Sequence, residues 1–306
     1  MKNLLITAAG TGTAFSYTSA IAQNFDCINL YTADTNKEEF VTASLFANKH
    51  LTLQSIYTNN FYLQIENIIL KENIKYYIPL IDEEIVNAYK YPVLQKAIAA
   101  NHLIFCQGCT EKSNYSIAFN GIEIRFPKII KRENIYDDVE YIAKKNYGFG
   151  SRGTKIITSK DIATLESDYI IYEKINGTEY TIDCFPTETF TFTSIRKRIE
   201  VKNGVCTKAL IIRNEQLEAS AEAIVRKYQL THPFCFQVIE SSHHFYLIDV
   251  NPRLGAGTAM SSINGMDFFS AHLAKLLDKD PIKYLNRFHD SCIVTRQYSN
   301  YLMKVL

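Results

Sequence analysis

The chain has 306 residues, enough for two or three subdomains around a sizeable core. Hydrophobic residues make up 47% and charged residues 21%, with a net charge of +1. That balance excludes a basic nucleic-acid-binding stripe and any strong pull toward a membrane surface. No run of about 18 apolar residues occurs, so a spanning helix is not expected.

The amino terminus, Met1 to Gly10, carries too short an apolar run for a secretory signal and passes straight into a glycine turn. The seven cysteines are odd in number and scattered, which fits a reduced, cytoplasmic chain. Cys106-Gln-Gly-Cys109 lacks a second ligand pair, so it reads as two structural thiols and not as a zinc site. Abundant Asn, Lys, Ile and Tyr suggest an AT-rich bacterial genome.

Residues 3–9 read as a buried strand, followed by Gly10-Thr-Gly12, a helix to about Asn24 and a strand over Cys27–Tyr31. A strand over Tyr76–Leu80 leads into a helix from about Asp82 to Ala100, then an apolar run at Leu103–Cys106 that reads as another strand. Strands alternating with helices predict an α/β domain with a parallel sheet over residues 1–105. Gly10-Thr-Gly12 lies where a nucleotide loop would lie, but Phe15 stands where the dinucleotide fingerprint needs a third glycine.

From about residue 106 the pattern becomes α+β with mostly antiparallel strands. These are expected over Phe126–Ile130, Glu140–Lys144, Thr154–Thr158, Tyr169–Glu173, Glu179–Phe185, Thr189–Ile199 and Val205–Ile212. A helix is expected over Glu215–Tyr228, then a hairpin, then a helix over Met266–Leu277. The likeliest joint within this half falls near Ser167–Asp168, which divides it into residues 106–168 and 169–306.

Three segments carry chemistry. In the hairpin, Asp249, Asn251 and Arg253 are spaced two apart, which would send all three to one face of a strand. A turn at Ser241–His244 would bring Gln237 beside Asp249. A carboxylate and two amide oxygens suit hard Mg²⁺, and the arginine suits a phosphoryl or carboxylate group. The plain alternative is a hairpin with a polar outer face. In the second segment, Lys144 precedes Gly148, Gly150, Ser151, Arg152 and Gly153, a loop whose backbone N–H groups could approach phosphate. It lacks the Walker pattern, and a mobile hairpin turn is the alternative. In the third, Glu173, Lys174 and Ile175 end an apolar strand before Asn176-Gly177, with Glu179 beyond. They could supply an adenine slot and a ribose carboxylate, or simply an Asn-Gly hairpin. Arg196, Arg198 and Lys208 form a further basic set on adjacent strands, a phosphate or carboxylate site or else a solvated face.

Taken together, the order and spacing of these segments resemble the ATP-grasp superfamily, most closely its carbamoyl-phosphate-synthase-large-subunit-like carboxylate–amine ligases. Ile78-Pro-Leu-Ile-Asp82-Glu83-Glu84 is similar to a stretch common at the end of that family's amino-terminal domain. The resemblance implies a pre-ATP-grasp domain and two lobes clasping ATP. It implies an ADP-forming ligase that acts through an acyl phosphate on a small-molecule carboxylate and an amine. Lys144, Asn251 and Arg253 would be the catalytic set. Gln237, Asp249 and Asn251 would hold Mg²⁺, two ions, with Mn²⁺ an alternative. Lys144, the residues Gly148 to Gly153, Glu173, Lys174, Ile175, Glu179, Arg196 and Lys208 would hold the nucleotide. A homodimer is the family expectation. The first lobe departs from the pattern: Lys112-Ser-Asn114 replaces the usual Asp-Lys stretch, with Lys112 or Arg125 to compensate. Two other readings compete: a nucleotide-binding relative without turnover, and a nicotinamide enzyme using Gly10-Thr-Gly12.

Overall fold

The computed structural model describes residues 1–58, 60–146, 153–202 and 204–305. The calls on Gly148, Gly150, Ser151 and Arg152 therefore lie outside the described residues. The amino-terminal third alternates strand and helix: β1 (Lys2–Ile6), α1 (Gly12–Asn24), β2 (Ile28–Asp34), β3 (Lys49–Thr52), α2 (Phe61–Lys71) and β4 (Tyr76–Ile78). The strands form a parallel sheet in the order β3-β2-β1-β4. This is the α/β domain the sequence predicts, with one strand and one helix it did not. α2 buries Phe61, Tyr62, Ile65 and Ile69 along one stripe.

The single helix expected from Asp82 to Ala100 is two, α3 (Asp82–Ala88) and α4 (Pro92–Ala97). Pro92 lacks an N–H and so opens the second helix instead of continuing the first. The strand expected at Leu103–Cys106 is a helix, α5 (Leu103–Thr110). An apolar run of four cannot distinguish the two, and the buried set Phe105, Cys106, Cys109 and Thr110 has helical spacing. Cys106 and Cys109 are buried free thiols. A short helix, α6 (Tyr115–Ala118), follows.

A small antiparallel sheet, β6-β5-β7, comes next from β5 (Tyr141–Lys145), β6 (Lys155–Ile157) and β7 (Tyr169–Glu173). The sheet thus extends past residue 168, and the chain changes sheet over residues 174–177. The large sheet uses β8 (Thr178–Pro186), β9 (Thr191–Lys202), β10 (Val205–Ile212), then β11 (Phe234–Ser241) and β12 (His244–Asn251) after the helix α7 (Glu215–Tyr228). Two more helices, α8 (Ala259–Ser262) and α9 (Phe268–Leu276), precede the edge strand β13 (Cys292–Thr295). The order is β12-β11-β8-β9-β10-β13. Phe126–Ile130, expected as a strand, makes only isolated bridges, through Ile129 to Tyr172 and, just before it, through Arg125 to Tyr246. No helix among the described residues is long and apolar enough to cross a membrane.

The hydrophobic core is divided. α1, β1 and β2 share one cluster with α9 and Leu254. α5, α6 and α7 share another with the large sheet. The small sheet has its own, built on Tyr141, Ala143, Ile157, Leu165, Tyr169 and Ile171.

A buried acid fixes α3 against β1 and β4. Glu84 is fully buried, and its Oε1 accepts from the Thr7 hydroxyl at 2.5 Å and from the Tyr77 hydroxyl. Its Oε2 has no partner among the described residues. Burial pushes the carboxyl from its ordinary 4.5 up to about 7, against the opposing pull of the Thr7 and Tyr77 hydrogen bonds. The folded protein therefore holds a proton there that the unfolded chain releases. Its contribution to stability is complete below pH 4.5 and is lost as the pH rises through about 7. Melting temperature should fall across that window in the wild type, and Glu84→Gln should flatten the fall. At pH 8 the variant should be the more stable by on the order of 3 kcal/mol. Parallel pH profiles for the two proteins would remove this assignment.

Candidate active site

The hairpin of β11 and β12 sets the first part of the site. Gln237 lies opposite Asp249, and Cys235 opposite Asn251. Gln237 is also opposite Thr181 on β8, and Thr181 is opposite Arg196 on β9. Asp249, Gln237, Thr181 and Arg196 thus make one row across the sheet. Beside this row Gln237 pairs with Asp249 while Val238 pairs with Leu247, so Ile248 is an extra residue. A bulge takes such a residue out of the ladder. The freed Ile248 carbonyl accepts from Lys144 Nζ, on the small sheet, at 2.8 Å.

Between the small and large sheets lies a cavity of about 620 Å³. Ile142, Tyr172, Ile175 and Ile239 form its apolar wall, and Lys144, Glu179, Arg198, Gln237, Asp249 and Asn251 are among its polar lining. Glu173 and Lys174 line it as well. Asp249 Oδ1 accepts from the Tyr115 hydroxyl at 3.3 Å, and Oδ2 from the Asn251 amide at 3.2 Å. Arg198 bonds to Glu179 and donates to Gln237 Oε1 at 3.2 Å. Glu173 Oε1 accepts from the Lys128 N–H at 2.9 Å, and Lys174 pairs with Glu140. Burial lowers the Lys144 ammonium below its usual range, and the neighbouring Asp249 carboxylate works against that shift.

Residues 174–176 lie outside both sheets, so their backbone groups are not committed to a ladder at the cavity wall. The plain alternative for this segment, an Asn-Gly hairpin, does not hold: β7 and β8 belong to different sheets. Gly177 is required for close approach, since a Cβ there would stand 2.0 Å from the Glu240 carbonyl oxygen.

Other sequence-derived candidates fall elsewhere. Arg253 lies beyond β12, which ends at Asn251, and it does not line the cavity. Its Nε stands 2.7 Å from Asp82 Oδ1, an acid 5% exposed on α3. Burial raises the Asp82 carboxyl, outweighing the attraction of Arg253. Arg196 is 1% exposed and spent on Asp183 and Ser261, because residues 256–262 cover its end of the row. Lys208 pairs with Glu200 outside the cavity. Gly153 has φ +86°, a left-handed backbone that glycine tolerates best. Arg198, Tyr115, Lys112 and Lys128 line the cavity instead. Arg198 was legible as the neighbour two along from Arg196 on one strand face, and Lys112 as a possible compensating cation. Tyr115 and Lys128 had no signal. Arg125 meets β12 through its backbone, bonding Phe245 and Leu247.

Gly10-Thr-Gly12 is occupied by the protein itself. The Gly10 N–H donates to Asp34 Oδ2 at 2.8 Å, and Thr11 Oγ1 caps the Ala14 N–H at 3.2 Å. These donors are not open to a dinucleotide phosphate.

The donor set of Asp249, Asn251 and Gln237 fits a hard cation that completes its shell with ligand oxygens. One carboxylate plus substrate phosphates is the usual Mg²⁺ arrangement. Among the described residues no cluster of three His, Cys, Asp or Glu side chains could hold a metal by itself.

Residues 166–297 match the family described as "ATP-grasp in the biosynthetic pathway with Ter operon". The chain has the ATP-grasp fold. Over 95% of its length it is similar to the biotin carboxylase domain of Hydrogenobacter thermophilus 2-oxoglutarate carboxylase, solved with MgADP, at a TM-score of 0.74 and 11% identity, covering 73% of that chain. N5-carboxyaminoimidazole synthetase of Staphylococcus aureus, solved with ADP, gives 0.73 and 11% identity over 95% of this chain and 81% of that one. The L-amino acid ligase of Bacillus licheniformis gives 0.68 and 10%, over 92% and 76%. No protein of curated function matches the sequence. The expected resemblance to the ATP-grasp superfamily is thus borne out at the level of fold, parallel domain included.

The Asp82–Arg253 pair ties the amino-terminal domain to the end of β12. Removing one partner of a buried pair strands the other charge. Asp82→Ala should cost about 3 kcal/mol or more in urea unfolding. A loss below about 1 kcal/mol would make the pair energetically no more than a surface contact.

Proposed function

We propose that the chain is an ATP-dependent, ADP-forming carboxylate–amine ligase. The observation that carries this reading is the convergence on one cavity of the Asp249–Gln237 row, the Lys144 ammonium and the apolar wall of Ile142, Tyr172, Ile175 and Ile239. Ile142, Tyr172 and Ile175 would sandwich an adenine whose polar edge meets the uncommitted backbone of residues 174–176. Glu179 would accept from the ribose hydroxyls, with Arg198 holding its carboxylate in place. Lys144, fixed by the Ile248 carbonyl, would lie against the phosphates.

Asp249 and Asn251, with Gln237 adjacent, would hold Mg²⁺, which when bound offsets charge on the phosphates. The substrate carboxylate oxygen would bond to the γ-phosphorus as the bond to the bridging oxygen breaks, giving an acyl phosphate and ADP. The amine nitrogen would then attack the acyl carbon, phosphate would leave, and the nitrogen would lose its proton. Exclusion of water between the two sheets would protect that intermediate. Small-molecule acid and amine are the partners; we propose two Mg²⁺ ions, a cytoplasmic setting and a homodimer as the working arrangement.

One observation favours a second reading, a nucleotide-binding relative without turnover. Arg253, the family's expected anchor for the acceptor, is engaged by Asp82 and does not line the cavity. Calorimetry with MgATP and ADP assays over panels of acids and amines separate the two. A ligase should bind MgATP, and Asp249→Ala should weaken that binding by about tenfold or more, 1.4 kcal/mol per factor of ten. It should also release ADP only with a matched acid and amine. Binding without ADP release under any pair supports the second reading, and no nucleotide uptake removes both.

A further inference from the structure

A second cavity, of about 560 Å³, opens at the far end of β9 from the nucleotide cavity. Thr191, which lines the second, and Arg198, which lines the first, are seven residues apart on that strand, about 23 Å at the usual rise. Its apolar walls are Phe190, Phe192, Met266 and Leu285. The two phenylalanine rings lie 4.5 Å apart.

Two polar groups in its lining lack partners. Arg287 donates through Nη2 to the Thr193 carbonyl at 2.5 Å, but its buried Nη1 has no hydrogen-bond partner among the described residues. Nor is Arg287 in any ion pair there, since Arg213 takes Glu218 in a two-pronged contact at 2.6 and 2.8 Å. The hydroxyl of Thr191 is likewise buried and without a partner. Leaving such groups unmet costs free energy, and more for a charge, unless something satisfies them. The backbone just before the arginine is tied to the segment around Gly265. Leu285 bridges to Met266, and the Asn286 N–H donates to the Gly265 carbonyl at 2.9 Å. Gly265 has φ +78°, and a Cβ on it would stand 1.8 Å from the Asn286 carbonyl oxygen, so this segment cannot relax outward around a larger residue.

Glu222 on α7 also lines the cavity, and its Oε1 accepts from the Thr191 N–H at 2.5 Å. Glu218 and Asp290 also line the cavity. Acids lining the same cavity as a guanidinium that makes no ion pair of its own disfavour a dianion such as phosphate. They match a ligand that carries both signs.

We propose that this cavity binds an α-amino acid with an apolar side chain. Its carboxylate would meet Arg287 Nη1 and the Thr191 hydroxyl, its ammonium Glu222, and its side chain Phe190, Phe192, Met266 and Leu285. The site is separate from the nucleotide cavity and needs no ATP.

The test is calorimetry with L-phenylalanine and L-leucine, each without nucleotide. 3-Phenylpropionate, which lacks the ammonium, and 2-phenylethylamine, which lacks the carboxylate, serve as controls. Saturable binding of one amino acid per chain is expected, with each control weaker by about tenfold. Arg287→Gln and Phe190→Ala should each weaken it to a similar degree; Phe190 is 46% exposed, so its truncation does not threaten the fold. Asp249→Asn, in the nucleotide cavity, should leave it unchanged. No uptake of either amino acid at about 10 mM overturns the proposal. So does binding that survives Phe190→Ala and Arg287→Gln, or that is lost with Asp249→Asn and thus belongs to the other cavity. Failure to bind MgATP would leave this result standing, so the two readings fail separately.

Discussion

The carboxylate of Asp183 is the constraint on which the arrangement of this protein depends. It is fully buried at the middle of the large sheet and accepts from Arg196 on the next strand, from Thr258 Oγ1 at 2.7 Å and from Ser261 Oγ at 3.1 Å. A buried charge is expensive, and it persists only when its partners satisfy it from several sides. Here those partners come from one neighbouring strand and from the segment that follows β12. The acid thereby fixes where residues 256–262 cross the sheet. Gly257 is drawn so close that a Cβ would stand 3.3 Å from the Arg196 guanidinium. Anchoring that segment also fixes Arg253 just upstream, and through Asp82 the amino-terminal domain.

The same cover divides the face of the sheet in two. Arg196 and Arg198 have equal claim to that face by alternation. One is sealed under the crossing segment and becomes part of the framework. The other stays open and meets Glu179 and Gln237 in the cavity. At the opposite edge, a single extra residue, Ile248, turns a carbonyl out of its ladder and gives the small sheet's lysine something to hold. The site is therefore assembled by an anchored crossing segment and a bulge more than by any one motif.

Much of this was readable from the amino acids. The helix over Glu215–Tyr228 and the strands Tyr169–Glu173 and Val205–Ile212 coincide with the structure because their patterns are long or bounded by turn residues. Gln237 opposite Asp249 followed from hairpin spacing alone. The misses have particular causes. Leu103–Cys106 is too short for its period to tell strand from helix, and tertiary packing decides it. The break between α3 and α4 is legible in Pro92, which cannot continue a helix from the preceding turn. The roles of Arg196 and Arg253 were not legible, because each depends on a carboxylate, Asp183 or Asp82, supplied from elsewhere in the chain. Tyr115 reaches Asp249 from 134 positions away, a distance over which local pattern carries no information.

The small sheet keeps its apolar residues to itself. Among the described contacts, its ties to the body are polar: Lys144 to the Ile248 carbonyl, Asn146 to Lys112 and Ser113, and the Tyr172 hydroxyl to the Lys112 carbonyl at 2.9 Å. Water can replace every one of those bonds at little net cost, whereas it could not replace a shared oily seam. Swinging this lobe on residues 174–176 would therefore expose little greasy surface. The free energy of opening would then be set by a few exchangeable hydrogen bonds to neutral acceptors, so added salt would change it little.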